Sequence, residues 1–523
     1  MRTEYLKLKI EIRDGVAVIV MDNPPVNQMS PDFSLELTEA LTEAIADTAV
    51  QAVVLTGVGR NFIAGADITR LQKITDRDSA RRAVLEAARF LSRIETAPKP
   101  VIAAINGFAL GGGLETAMVC HWRVAVMGAE MGQPEVKIGV IPGAGGTQRL
   151  PRLVGLPLAL EMITIGESIT AEKGFAAGLI DELAGPEELL DKALAAARRF
   201  VSGELVLEAH RTRNRNDKLP SAQEKAGVIA FARDLARQKA KGYLAPFKAL
   251  EAMEMGLGPD IDGDIEREVD LFCDCAVSDV AKYLIGLFLG TRAAGRLPRI
   301  KDVAPRPLKK AAVLGGGVMG SGIVHLLLRH GFETVLWEID GAALDKALAA
   351  VRATFAWHLQ KGRMTEAELE GLVKDRLSAT TRLEDLGGAG LIVEAVVEDM
   401  RVKQDIWKKL EGFCPAETVF GTNTSALPIT AMAEVLADPG RLIGLHFFNP
   451  AHRMQLLEII CGKKTSDQTL ADSVAFARAI KKIPLVVNDG PGFYVSRQLG
   501  GLMGGAVYLT ADGVSGAAVE EAV

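Results

Sequence analysis

Short apolar runs, each closed by glycine, proline or asparagine, alternate along the chain with segments whose apolar positions recur every three or four residues. The run 15–21 (GVAVIVM) predicts a buried strand, 34–46 a helix, and 52–56 a second strand that stops at Gly57 and Gly59. Lys99 and Pro100 introduce another short strand, 101–105, ended by Asn106 and Gly107. This rhythm continues to about Ile180 and predicts a layered α/β domain. The sequence then turns Ala-rich and helical over 186–200, and 221–290 reads as further helices, with 280–289 (VAKYLIGLFL) the most apolar piece. Between them, 210–218 (HRTRNRNDK) is basic and polar, which favours a solvated connector over a phosphate-binding patch. Three prolines in 297–308 mark a linker, and a second α/β rhythm begins at Lys309.

At roughly 150 residues per domain, 523 residues predict three or four domains. Sixty basic against 66 acidic residues leave a formal charge of −6, which argues against a nucleic-acid binder. The apolar stretches fall short of the ~18 residues that span a bilayer, and 1–14 carry neither a signal nor a transit pattern, so a cytoplasmic protein without a transmembrane segment is expected. Five cysteines make no disulfide framework, and Cys273 and Cys275 have no second pair nearby, so no metal is expected.

Candidate chemistry sharpens the picture in the second half. The strand 311–314 runs into Gly315-Gly316-Gly317-Val318-Met319-Gly320, a GxGxxG turn, and then a helix over 321–329. The next strand, 334–337, ends in Glu338, 18 residues past Gly320, where a carboxylate reaches the ribose hydroxyls of a dinucleotide. Gly315, Gly317 and Gly320 would let a pyrophosphate approach the backbone at a helix N-terminus. Glu338, with Asp340 beside it and no adjacent arginine, would repel a 2′-phosphate and selects NAD over NADP. Further strands end at Glu394, at Asn423-Thr424-Ser425 and at His446, with Glu458 following. Open α/β sheets place ligands at such carboxyl ends, and a carboxylate that orients an imidazole makes it a better base.

The blocks VLGGGVMGSGIVHLLL, EAVVEDMRVKQ, TNTSALPIT and HFFNPAHRMQLLEII resemble the L-3-hydroxyacyl-CoA dehydrogenase family over residues 309–500. The resemblance implies that His446 and Glu458, with the family's spacing, take the hydroxyl proton while hydride passes to NAD, and that Ser425 binds substrate. One position departs: Ser496 stands before Arg497 where many members have Asn, and its shorter side chain has less reach as a substrate contact.

In the first half, Ala64-Gly65-Ala66-Asp67 follows a strand and loop, and a glycine run, 111–113, leads into a helix over 114–119. Unpaired amides at that helix start can stabilise an oxyanion on a thioester. Glu115 lies in its first turn and Glu135 lies 20 residues on, a pair suited to adding water. Gly143 to Gly146 is not read as a phosphate loop. FIAGADI, INGFALGGGLETAM and GQPEVKIGVIPGAGGTQRL resemble the crotonase superfamily, and within it the enoyl-CoA hydratases, over residues 8–190. This likeness implies that the amides of Ala66 and Gly112 hold the thioester oxygen, that Glu115 and Glu135 do the acid–base chemistry, and that Asp67 is either structural or positions substrate.

Together the two halves resemble the multifunctional enzymes of fatty-acid β-oxidation. The expected fold is α/β: a crotonase-like ββα spiral over 1–190, a helical linker over 191–308, a Rossmann-type NAD-binding domain over 309–487, and a short helical stub over 488–523. Acyl-CoA thioesters are the implied substrates, NAD the cofactor, and a thiolase or further copies of the chain the implied partners. The chain ends inside what resembles a helical hairpin, so it reads as a truncated form that keeps hydratase but loses much dehydrogenase activity, with Phe493, Leu499, Leu502 and Met503 poorly covered. The rival reading is a crotonase-type isomerase whose NAD-binding module is an inactive assembly platform.

Overall fold

Val- and Ile-rich runs without polar alternation need cover on both faces, and the chain supplies it in two separate units. In a computed structural model that describes residues 2, 5–240 and 242–522, one unit ends at Gly290 and the other begins at Thr291.

The first unit contains a six-stranded sheet in the order Leu8–Arg13, Val16–Met21, Ala52–Gly57, Val101–Ile105, Trp122–Val126, Glu182–Ala184, antiparallel only in its first pair. A smaller sheet orders Asn61–Ile63, Phe108–Leu110, Glu130–Gly132 and Ile169–Thr170. Each turn of the spiral lays one strand in the large sheet and the next in the small one, then crosses back through helical structure. Ala52–Gly57 is thus followed by Asn61–Ile63, Val101–Ile105 by Phe108–Leu110, and Trp122–Val126 by Glu130–Gly132. This is the crotonase-like arrangement.

The segment 191–308, expected as a helical linker, is divided between the units. Up to Gly290 its helices share the core of the spiral: Ala249, Met253, Ile265, Val269, Phe272 and Cys275 are buried in one cluster with Leu85, Leu91 and Leu150. Helical periodicity predicts that such an apolar face is covered, but not by what.

The basic run is a packed strap rather than a solvated connector. Arg211 donates to the carbonyls of Thr96 and Ala97. Arg213 pairs with Glu95 and Asp262, and Lys218 donates to the carbonyls of Leu153 (2.7 Å) and Ala177 (2.6 Å). These cations satisfy carbonyls and carboxylates left over by the spiral.

The second unit is an eight-stranded sheet in the order Leu377–Thr380, Glu333–Trp337, Lys310–Leu314, Leu391–Glu394, Val419–Thr422, Leu442–Phe447, Leu456–Cys461, Ile483–Asn488. Its pairs are parallel except Leu442–Phe447 with Leu456–Cys461. Side chains alternate between two cores: Ala311, Val313, Leu336 and Val393 face one layer, and Ala312, Leu314, Val335 and Ile392 the other. Strand order reverses between Lys310–Leu314 and Leu391–Glu394, the switch point at which this Rossmann-like fold opens a crevice. Phe493, expected to lack cover, is buried in the second of these cores. Leu499, Leu502 and Met503, on the helix Val495–Ala511, are exposed.

None of the described helices is long and apolar enough to cross a membrane.

Glu95 is fully buried with Arg149, 3.0 Å away, and it also accepts from the Arg213 amide at 2.7 Å. Burial alone would raise its carboxyl, but the two guanidiniums and that amide hold it below the ordinary range. Glu95→Gln leaves Arg149 buried without its counter-charge and should cost the first unit about 3–5 kcal/mol. A depressed carboxyl stabilises the fold above its unfolded value and loses that effect as pH falls through the folded value. The difference between wild type and variant in denaturant midpoint should therefore narrow in acid; equal midpoints at neutral pH would contradict this.

Candidate active sites

The small sheet of the first unit brings three loops together, because Asn61–Ile63, Phe108–Leu110 and Glu130–Gly132 are parallel neighbours and their carboxyl ends coincide. Ala64-Gly65-Ala66 leaves the first, Gly111-Gly112 the second, and Gln133-Pro134-Glu135 the third. Gly113 allows the closest approach: a Cβ there would lie 2.1 Å from the Ile63 carbonyl oxygen. The helix begins at Gly112, two residues before the expected start, so the Gly112 amide is one of the first-turn amides with no intrahelical acceptor. In the facing loop, the Ala64 amide donates to the Val26 carbonyl (3.2 Å), and the Met29 amide donates to the Gly65 carbonyl (2.9 Å). Asp67 caps the short helix Ile68–Leu71, accepting from the Thr69 amide and hydroxyl at 3.0 and 2.7 Å. That is the structural one of its two expected roles.

Glu115 is buried, and its Oε1 accepts from the amides of Ala144 (2.8 Å) and Gly146 (2.9 Å), at the start of the helix Gly146–Val154. Its Oε2 lies 4.0 Å from the point a Cβ on Gly112 would occupy. Glu135 lies against Gly111, whose φ of +52° and missing side chain admit the carboxylate; a Cβ there would be 2.7 Å from Oε1. Gln133, with its amide nitrogen turned to the carboxylate, donates to both Glu135 oxygens at 3.0 and 3.1 Å.

The two environments differ. Burial pushes Glu115 up, while the Ala144 and Gly146 amides and Arg149 oppose the rise. Burial pushes Glu135 well above the ordinary range, and the charges of Glu115 and Glu268 add to it. Carboxyls set apart in this way divide into a base and an acid.

In the second unit, Gly315 has φ +87°, and a Cβ on Gly320 would meet the Gly315 carbonyl oxygen at 1.8 Å, so the turn is as tight as the motif requires. Gly317 caps the helix Val318–Arg329, and nothing lies within 4 Å of the Cβ it lacks. Glu338 accepts from the Gly316 amide at 2.7 Å, which fixes a carboxylate beside the glycine turn. These residues fit a dinucleotide with free ribose hydroxyls.

His446 and Glu458 sit opposite one another on neighbouring strands, Nδ1 to Oε2 at 2.9 Å. The other Glu458 oxygen accepts from the amides of Tyr494 (2.8 Å) and Val495 (3.1 Å), where the last long helix starts. Burial would raise this carboxyl, yet those bonds and the His446 ring hold it below the ordinary range. Ser425 is exposed just beyond Val419–Thr422, and its amide donates to Glu398 (3.2 Å). Asn423 ties this loop to the next strand by accepting from the Phe447 amide at 2.9 Å. Ser496 lies in the first turn of Val495–Ala511.

Four residues escape the sequence reading: Gln133, Arg149, Glu268 and Lys403. Lys403 is buried, 2.6 Å from Glu394 and 3.2 Å from Glu398, and so steadies the Ser425 loop through Glu398. Gln133 was open to detection, two residues before Glu135 in a quoted block. Arg149 and Lys403 also lie in quoted blocks, whereas Glu268 meets Gly145 and Thr147 from 123 and 121 residues away.

Residues 11–257 match the family described as "Enoyl-CoA hydratase/isomerase", and 310–490 that described as "3-hydroxyacyl-CoA dehydrogenase, NAD binding domain". The chain is 36% identical over 522 residues to the glyoxysomal fatty acid beta-oxidation multifunctional protein MFP-a of Brassica napus, covering 98% of this chain and 70% of that protein. It is 37% identical over 489 residues to the peroxisomal fatty acid beta-oxidation multifunctional protein AIM1 of Arabidopsis thaliana, covering 92% and 67%. It is 36% identical over 516 residues to the fatty acid oxidation complex subunit alpha of Shewanella loihica, covering 96% and 72%. The plant names refer to glyoxysomes and peroxisomes, so the expected cytoplasmic location does not follow from kinship.

The fixed Glu338 carboxylate predicts tighter binding of NADH than NADPH by fluorescence titration, and Glu338→Ala should weaken NADH binding and narrow the preference. Equal affinity of the unaltered chain for both would contradict this.

Proposed function

The chain belongs to the family of multifunctional proteins of fatty-acid β-oxidation, and from that premise we propose which of its residues carry the two reactions. It is an enzyme with an enoyl-CoA hydratase domain and an NAD-dependent 3-hydroxyacyl-CoA dehydrogenase domain. The first hydrates trans-2-enoyl-CoA, and the second oxidises the resulting L-3-hydroxyacyl-CoA to the 3-ketoacyl thioester.

In the hydratase, the amides of Ala66 and Gly112 hold the thioester oxygen as negative charge develops on it. Glu115 is the base: Oε1 is tied down by two amides, and Oε2, on the Gly112 side, takes a proton from the attacking water. Glu135 is the acid, kept protonated by burial and neighbouring negative charge, and it delivers its proton to the α-carbon. The observation that carries the proposal is geometric: Glu115 Oε1 accepts from the Ala144 and Gly146 amides, whereas Glu135 faces Gln133 and Gly111. Gly65 allows the turn, with φ +98°.

In the dehydrogenase, Gly315, Gly317 and Gly320 would cradle the pyrophosphate and Glu338 the ribose. NAD supplies a hydride acceptor when bound. His446, tied through Nδ1 to Glu458, takes the hydroxyl proton at Nε2, and Glu458 steadies the imidazolium that results. Ser425 and Ser496 hydrogen-bond the substrate oxygen.

The 3-ketoacyl thioester needs a thiolytic partner, and the name of the Shewanella relative, a complex subunit, supports a thiolase subunit or assembly with further copies of this chain. For location we propose the cytoplasm, the reading supported by composition.

Glu115→Gln and Glu135→Gln should each lower the hydration rate of crotonyl-CoA by at least ~10²-fold. In the unaltered chain the rate should fall in acid as Glu115 gains a proton, and in alkali as Glu135 loses its own. Turnover like wild type in both variants would contradict the assignment. His446→Gln should abolish NADH formation from 3-hydroxybutyryl-CoA and leave hydration unchanged; loss of both activities would contradict a separate dehydrogenase role.

A further inference from the structure

Glu268 lies on the helix Ile261–Ala276, outside the ββα spiral, yet it is fully buried beside Glu115. Its Oε1 accepts from the Gly145 amide (2.5 Å) and its Oε2 from the Thr147 amide (2.8 Å) and the Thr147 hydroxyl. Four consecutive amides are thus shared alternately, 144 and 146 going to Glu115 and 145 and 147 to Glu268. Gly145, in the middle of this run, has φ +98°, a backbone conformation that favours glycine. No side chain fits there, since a Cβ would lie 1.9 Å from the Arg149 guanidinium.

Resting on the assignment of Glu115 as the hydratase base, we propose that Glu268 is its positioning residue, clamping segment 144–147 from behind so that the Ala144 and Gly146 amides hold the Glu115 carboxylate in its working orientation. Among the described residues, no other carboxylate accepts from the amides of 145 and 147. Without that acceptor they would turn towards the nearest one, Glu115, and drag the other two amides out of line. Glu115 Oε2 would then shift from its place beside Gly112. An error of about 1 Å in such a placement can lower turnover some 10²-fold.

The same placement affects protonation. The charged groups around Glu135 are Glu115 on Gly112–Val119 and Glu268 on Ile261–Ala276. Behind Glu115 stands Arg149 on Gly146–Val154, neutralised by Glu95 on Arg77–Glu95. Burial first, and the charge of Glu115 second, push Glu268 up to about 8, against its own three hydrogen bonds. Its negative charge therefore develops on the alkaline side, where it helps Glu135 keep a proton.

Two substitutions separate position from charge. Glu268→Gln keeps the length but puts an N–H group against an N–H group; Glu268→Asp keeps the charge but withdraws from both amides. In the full chain, with crotonyl-CoA as substrate, both should lower kcat roughly 10- to 100-fold with KM within about twofold. Only Glu268→Gln should also move the alkaline limb of the pH profile to lower pH. Crotonyl-CoA affinity and thermal midpoint, measured on each variant, report whether the unit is folded, and if one variant is unfolded the other carries the test. Wild-type kcat in a folded variant overturns the proposal, as does a loss confined to KM. An unaltered chain that does not hydrate crotonyl-CoA would instead overturn the hydratase assignment itself.

Discussion

A carboxylate removed from water must be given hydrogen bonds or opposite charge, because its desolvation costs several kcal/mol. Both units meet this demand in the same way. Glu115 takes two amides where the helix Gly146–Val154 starts, and Glu458 takes two where Val495–Ala511 starts. Helix starts have unpaired amides and a positive dipole end, so they can hold a buried negative charge without a cation. In each case one carboxylate oxygen is tied down and the other is left for its proposed role, towards water in the first unit and towards His446 in the second.

The absence of a cation at Glu135 has the opposite effect. Gln133 is neutral, and burial first and the charge of Glu115 second raise Glu135, so the surroundings favour a bound proton; Glu268 adds its own charge only on the alkaline side. The proposed acid and base thus differ in whether helix-start amides reach the carboxyl, with the same residue type in both roles. In the second unit the parallel sheet sets the geometry: His446 and Glu458 are direct cross-strand partners in its one antiparallel pair. Their distance follows from sheet register rather than from loop conformation, which suits a pair whose contact must not drift.

Much of this was legible in the chain because it is local. The glycine turn at 315–320, Glu338 at a strand end, and the runs around Glu115, Glu135, His446 and Glu458 each carry their pattern within a few residues. What could not be read depends on distant parts of the chain meeting. Glu268 lies 121 residues from Thr147, and its helix shows only that one face is apolar. The 210–218 run has the composition of a solvated loop, and nothing within it reveals that Glu95 and bare carbonyls await its cations. Phe493 was expected to lack partners because the core it joins, which includes Ile392 and Phe420, is built from strands far upstream.

Of the two hydratase glutamates, Glu135 keeps its proton to the higher pH. Infrared difference spectra of the unaltered chain against Glu135→Gln and against Glu115→Gln test it directly, because a protonated carboxyl absorbs apart from a carboxylate. Followed across a pH titration, the protonated-carboxyl band that Glu135→Gln removes should persist to higher pH than the one that Glu115→Gln removes. The reverse order would contradict this.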